Sequence, residues 1–258
     1  MDINEHIDAL RHQGTLLADA AERAGLDAAI PPCPAWQVKD LLRHTGYIHR
    51  WAAKHITDCP DTVLDGPPEE DILRGGAADP NLLAWFRAGH AALVQTLSTA
   101  DPGLVCATFM DAPSPLAFWA RRQAHETAIH RADADSASGL RPEYDPEFAA
   151  DGIDELITGF GQRRKYRPSA EQPGSMRVQA TDTGHAWYVG TEDGRLRARR
   201  EDSGPDPAAP AACTVTGAAS GVYLFLWNRG DAAQTGVTVS GDAGFLDLWQ
   251  SSVRVRWG

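Results

Sequence analysis

Residues 118–135 read FWARRQAHETAIHRADAD, and this stretch decides how the first half of the chain folds. Together with Ser114 and Pro115, an N-cap followed by a first-turn proline, it predicts a helix over residues 114–133. Three further segments have apolar residues at helical spacing: 3–25, 36–57 and 80–98. Proline-rich and glycine-rich stretches separate them, of which the longest (58–80) is predicted to be an irregular loop. Four helices joined by loops predict a helical bundle.

The second half of the chain has a different pattern. A helix is predicted at 146–164, and further helical segments are predicted at 218–227 and 243–249. Short stretches with the period-two alternation of half-buried strands accompany them, at 176–180, 185–190, 195–199, 213–217, 237–241 and 253–257. Strands and helices mix without regular βαβ alternation, so this half is predicted to be α+β.

The division between the two patterns falls in residues 136–146, which read SASGLRPEYDP. With 258 residues, the chain is long enough to form two modest hydrophobic cores. We therefore predict an α+β protein in two domains. A four-helix bundle would occupy residues 1–140, and a small mixed α+β domain would occupy residues 141–258.

Glu126 and His130 are four residues apart within the predicted helix of residues 114–133. Their side chains therefore project from one helical face, about 40° apart by the 3.6-residue period. A carboxylate and an imidazole one turn apart can chelate one divalent ion without backbone strain. The same spacing is also typical of a surface pair, so the spacing does not decide between these interpretations.

His44 is a third candidate ligand, from the predicted helix at 36–57. It lies three residues after Leu41 and four before Ile48, so it points with the apolar stripe into the bundle. A single inward histidine is more often a hydrogen-bonded core residue than a ligand. A histidine that faces an inward carboxylate and a second imidazole is a different case, because buried polar groups need partners. One metal ion would satisfy all three groups.

The composition argues against several classes of function. A net charge of -11 disfavours a nucleic-acid partner, because phosphate contacts require clustered Lys and Arg. The longest strongly apolar stretch, 222–227, is far too short to cross a bilayer, and the N-terminal residues do not resemble a signal peptide. The four cysteines form no CxxC pair. We therefore expect reduced thiols, no membrane partner and a cytoplasmic location.

Two stretches, CPAWQVKDLLRHTGYIHRWA (33–52) and FWARRQAHETAIHRADAD (118–135), resemble the mycothiol-dependent maleylpyruvate isomerase family. The segment from CTVTG to FLDLW (213–249) is similar to the second domain of the same family. The resemblance implies a metal-binding bundle of the DinB/YfiT-like type, followed by a small sterol-carrier-like α+β domain. It therefore covers nearly the whole chain.

By this resemblance, the ligand histidine of the family corresponds to His44, and its Glu-x3-His pair corresponds to Glu126 and His130. Two nitrogens and one carboxylate oxygen suit tetrahedral zinc with one open position, although another divalent metal would also be accommodated. The family implies that mycothiol, a thiol cosubstrate, binds at the open position as a thiolate.

Several functions are compatible with such a site. The main expectation is a zinc-dependent thiol S-transferase, which activates mycothiol for addition to a small electrophilic substrate. The alternatives are a mycothiol-dependent cis–trans isomerase of the maleylpyruvate type, or a metal-dependent hydrolase. A non-enzymatic small-molecule binder is a further hypothesis, and the complete set of candidate ligands weighs against it.

Two residues near the ligands are candidate catalytic groups. His49 lies about 140° around the helix from His44, so it cannot replace that ligand. It could support a ligand, line the substrate pocket, or form a helix–helix or interdomain contact. Arg122 could clamp an anionic substrate, brace Glu126 or carry solvated surface charge. His185, the only histidine after His130, is expected to be structural.

Overall fold

The computed structural model describes residues 1–163, 174–192, 195–201 and 210–252. The chain divides into two compact units, the first ending at Pro142 and the second beginning at Glu143. The predicted strand at 253–257 lies outside the described residues. The proposed domain bounds of 1–140 and 141–258 stay a prediction.

The helices of the first unit are α1 Ile3–Ala24, α2 Val38–Asp58, α3 Glu69–Arg74, α4 Asp79–Thr99 and α5 Pro115–Ser136. The four long ones are those that the apolar spacing predicts. Ser114 caps α5 as expected, because its hydroxyl accepts a hydrogen bond from the backbone N–H of Ala117. Helix α1 packs mainly against α5, and α2 mainly against α4. Fully burying a Leu or Phe side chain, such as Leu41 or Phe86, stabilises this unit by about 1.5–3 kcal/mol.

Two features of the first unit differ from the prediction. Residues preceding α2 form a strand, β2 Cys33–Gln37, which pairs with β1 Ala29–Ile30, so α2 begins two residues later than residue 36. The Asp40 carboxylate fixes this start, because it accepts a hydrogen bond from the backbone N–H of Gln37. The predicted irregular loop at 58–80 contains α3, whose acidic first turn favours a helix N-terminus.

The second unit begins with α6 Pro146–Asp154, followed by a π-helical turn Glu155–Gly159 and a 3₁₀ turn Phe160–Gln162. The prediction of one helix over 146–164 is therefore wrong in its second half. Glycine contributes to this change, because it weakens an α-helix and permits a close contact. A Cβ added at Gly161 would lie 2.5 Å from the ring of Trp249.

A five-stranded sheet forms the centre of the second unit within the described residues. Its strands are β3 Ser175–Ala180, β4 Ala186–Glu192, β5 Arg195–Glu201, β6 Cys213–Gly217 and β7 Thr238–Gly241. They lie in the order β5-β4-β3-β6-β7, with β3 and β6 parallel and the other pairs antiparallel. Alternate residues such as Met176, Val178 and Val215 are buried, as the period-two pattern predicts.

Three helices complete the described part of the second unit: α7 Ala219–Leu226, α8 Ala232–Thr235 and α9 Gly244–Ser252. Helix α7 contacts β3 and β6, and α9 contacts β3, so apolar residues of both helices cover a face of the sheet. The predicted α+β class, with a helical first half and a mixed second half, is confirmed. Across the described ranges, no helix combines the length and the apolar character that crossing a bilayer requires.

Candidate metal centre

Helices α2 and α5 bring His44, Glu126 and His130 together inside the first unit. One ligand atom from each side chain lies within 4.8 Å of the other two. Nε2 of His44 is 3.7 Å from Oε1 of Glu126, and Nε2 of His130 is 3.2 Å from the same oxygen. All three residues are buried. The sequence spacing therefore translates into one compact group of two nitrogens and one carboxylate oxygen.

A carboxylate holds the far side of each imidazole. Nδ1 of His44 donates a hydrogen bond to Oε1 of Glu69 in α3, at 2.8 Å. Nδ1 of His130 donates to Oδ2 of Asp133, one turn later in α5, at 3.0 Å. Because Nδ1 of each ring donates to a carboxylate, Nε2 is the atom directed toward Glu126, and its lone pair would be available to a bound metal ion. This carboxylate–imidazole arrangement is the one that orients histidine ligands in metalloproteins.

Arg122 contacts the other oxygen of the Glu126 carboxylate. Its Nη2 lies 3.2 Å from Oε2, and both side chains are almost fully buried. Of the roles expected for Arg122, bracing Glu126 is the one with which this contact agrees. The ion pair holds the carboxylate so that Oε1 remains turned toward the two imidazoles.

The local electrostatics favour positive charge between these groups. Burial acts to raise the pKa of Glu126, but hydrogen bonds from His130 and His44 and the charge of Arg122 hold that pKa well below its usual value. Burial acts to lower the pKa of His130, whereas Asp133 and Glu126 raise it to about 9. Without a metal, a proton on His130 therefore balances the buried carboxylates, and a divalent cation would replace that proton.

The donor set fits a divalent transition metal. Two imidazole nitrogens and one carboxylate oxygen form a three-ligand site of the type that leaves a coordination position for water or substrate. Zinc suits this set, and N/O ligands of this kind also accept other divalent ions. The residues present at the site thus match the metal that the sequence resemblance implies.

Both units match models of one protein family. Residues 7–135 match the mycothiol maleylpyruvate isomerase N-terminal domain, and residues 147–248 match the C-terminal domain of the same family. The chain belongs to the mycothiol maleylpyruvate isomerase family. The family resemblance that the two sequence stretches indicate is therefore confirmed, and the chain is a member of an enzyme family.

Solved structures support the same family fold. Two crystal structures of the mycothiol-dependent maleylpyruvate isomerase, one of a histidine-to-alanine mutant, are similar to this chain at TM-scores of 0.65 and 0.64. Each is 16% identical and covers 94% of this chain and 95% of its own. At this identity the likeness establishes the fold. No curated protein matches the sequence significantly.

Helix α2 places His49 in the core of the first unit, and it is not one of the three candidate ligands. The side chain is fully buried, and Nε2 forms a 2.9 Å hydrogen bond with the hydroxyl of Thr127. The ring centroids of Phe86 and His90 each lie 5.5 Å away. Burial, followed by the proximity of His90, keeps the pKa of His49 well below its usual value. A neutral His49 can therefore position α5 through Thr127, the neighbour of Glu126.

Two site residues are not identified by the sequence as partners of the ligands: Glu69 and Asp133. The Trp36 ring packs over both imidazoles, with centroids 5.0 Å from His44 and 6.3 Å from His130. Asp133 could have been found, because it lies three residues after His130 on the same helical face. Glu69 gives no such indication, since it lies in a stretch predicted as a loop.

His185 lies in the second unit and contacts charged side chains there. It immediately precedes β4, rather than lying within the strand as predicted. Its Nε2 is 3.3 Å from the Glu147 carboxylate, and its ring also contacts the Arg200 guanidinium. These contacts agree with a structural role, and that assignment stays a prediction.

Proposed function

We propose that this protein is a metal-dependent cis–trans isomerase of the maleylpyruvate type, with mycothiol as its thiol cosubstrate. His44, Glu126 and His130 would hold the metal, for which zinc is the preferred candidate. The observation that carries the proposal is the convergence of their ligand atoms within 4.8 Å, with both imidazoles oriented by carboxylates.

A zinc ion bound to these residues would lower the pKa of a coordinated thiol and so supply a thiolate near neutral pH. The chain itself orients the ligands and excludes water. Glu69 and Asp133 fix the tautomers of the two imidazoles, and Arg122 fixes the Glu126 carboxylate. Burial of all three candidate ligands strengthens the electrostatic interactions among them.

Isomerisation needs only reversible addition of the thiol. The thiolate sulfur forms a bond to a carbon of the conjugated cis double bond, which becomes a single bond while the electron pair moves to the carbonyl oxygen. Rotation about that single bond, followed by loss of the thiolate, gives the trans isomer. No electron donor or acceptor is consumed. Conjugation of mycothiol to an electrophile would use the same residues, and the family assignment favours isomerisation.

The two candidate catalytic residues are proposed to act through the ligands. Arg122 is buried against Glu126, and His49 is buried against Thr127. We assign both residues to positioning rather than to proton transfer with substrate. Replacement of either residue should lower kcat. The shape of the pH dependence of kcat should stay the same, because neither residue transfers a proton to or from the substrate.

An isomerase assay on purified protein tests the proposal. Maleylpyruvate should convert to its trans isomer only when mycothiol and bound metal are both present. Removing the metal with a chelator should abolish turnover, and adding Zn²⁺ should restore it. Turnover by metal-free protein, or without any thiol, would contradict the proposal. Accumulation of a stable thioether, detected by mass spectrometry, would instead support the transferase function.

A further inference from the structure

Gln123 lies on the α5 face that carries Glu126 and His130, nearer to the N-terminus of the helix. By the 3.6-residue period, Gln123 lies about 60° around the helix from Glu126 and about 20° from His130. It is therefore one turn before Glu126 on the same helical face.

Gln123 is buried with an unused hydrogen-bond acceptor. Only 1% of the residue is exposed, and Oε1 accepts no hydrogen bond from the described part of the chain. Two nearby polar residues of α5 do have partners, since Arg122 contacts Glu126 and Thr127 contacts His49. A buried acceptor without a partner lowers the stability of the folded state, whereas an apolar side chain of similar size would avoid that loss. A folded protein retains such a group where a bound molecule supplies the donor.

Helices α2 and α5 place Gln123 between the metal centre and an aromatic cluster. The two helices run in opposite directions past each other. His44 lies beside Glu126 and His130, whereas His55, later in α2, packs against Trp119, earlier in α5, at 4.7 Å. Gln123 is therefore at an intermediate level on α5. A ligand that extends from the metal centre along this face would meet its amide.

We propose that Gln123 binds mycothiol, with Oε1 accepting a hydrogen bond from an N–H or O–H group near the thiol. This inference rests on the proposed function. An acceptor oxygen suits the thiol cosubstrate, whose amide groups supply N–H donors. The dicarboxylate substrate instead presents mainly acceptor oxygens. Gln123 thus becomes a specificity residue for the cosubstrate rather than a group that reacts.

The variant Gln123→Leu tests this assignment in the metal-loaded enzyme. Loss of one neutral hydrogen bond should raise both the KM and the calorimetric Kd for mycothiol about threefold to tenfold. The KM for maleylpyruvate and the metal content should stay near the wild-type values. The melting temperature should not fall, because the variant removes an unpaired buried acceptor. Gln123→Met, which is unbranched and similar in length, provides a second variant if leucine packs poorly.

Gln13→Leu is the matched control, because Gln13 is also a buried glutamine but its Oε1 accepts a hydrogen bond from Arg131 at 3.0 Å. It should lose stability and keep the KM for mycothiol. An unchanged KM and Kd for mycothiol in active Gln123→Leu and Gln123→Met would overturn the inference and leave the proposed function standing. A rise confined to the KM for maleylpyruvate would also overturn it. Wild-type protein that binds no mycothiol would overturn the proposed function itself.

Discussion

His44 is oriented by Glu69, whose Oε1 lies 2.8 Å from Nδ1 of the imidazole. The two residues come from different helices, α2 and α3, so the ligand geometry depends on how the segment between them folds. Glu69 is partly exposed, whereas Asp133, the corresponding partner of His130, is fully buried. The His44 side of the candidate metal centre is therefore the one held by a partly exposed contact.

Replacing Glu69 should weaken metal binding without removing it. We expect Glu69→Ala to lower Zn²⁺ affinity about tenfold to 100-fold, because the imidazole loses the hydrogen bond that fixes its tautomer and orientation. Competition with a chromophoric chelator measures the affinity. Glu70→Ala is the matched control, since Glu70 occupies the same helix but pairs with Arg74 on the surface. Equal affinities in the two variants would show that Glu69 does not orient the ligand.

Helical periodicity indicates that the three candidate ligands point into the bundle, and the family resemblance implies that they bind a metal. His44 follows the apolar stripe of α2, and Glu126 and His130 share one face of α5. Periodicity does not identify Glu69, because it lies 25 positions from His44 and a proline-rich and glycine-rich segment separates the two residues. The same limit applies to the end of α6, where the close packing of Gly161 against Trp249 adds to the weak helix propensity of glycine.

The three candidate ligands should each be required for metal binding. We expect His44→Ala, Glu126→Ala and His130→Ala to lose most bound metal, measured by elemental analysis of purified protein. Far-UV circular dichroism should show the helices retained, because aliphatic and aromatic residues form most of the bundle core. His90→Ala controls for loss of a buried imidazole, since His90 instead contacts the backbone carbonyl of Leu10. Full metal content in His130→Ala would refute this ligand set.

Arg122 should stabilise the metal-free protein through its buried ion pair with Glu126. Arg122→Met leaves the Glu126 carboxylate without this guanidinium, and breaking a buried pair typically costs about 3–5 kcal/mol. Urea unfolding of metal-free protein measures the loss, and saturating Zn²⁺ should recover part of it. The neighbouring Arg121→Met serves as the comparison. If both variants unfold at the same urea concentration, the pair with Glu126 contributes little.

The stability of the metal-free protein should decrease as the pH rises above neutrality. Burial acts to lower the pKa of His130, but Asp133 and Glu126 raise it from 6.5 in the unfolded chain to about 9 in the folded one. The folded state then binds more protons than the unfolded state between these two values. The contribution of His130 is therefore complete below pH 6.5 and is lost as the pH rises through 9.

Urea unfolding at pH 6.5 and pH 9 measures this contribution, which we expect to be on the order of 1–3 kcal/mol. His49 does not produce the same slope, because its lowered pKa affects stability only below about pH 6.5. His130→Gln should remove the dependence in this window. Saturating Zn²⁺ should remove it as well, since the metal occupies Nε2 of the neutral ring. Metal binding below pH 9 should then release a proton, and calorimetry in buffers of different ionisation enthalpy would detect it. A metal-free protein equally stable at both pH values would show that His130 carries no proton in the folded state.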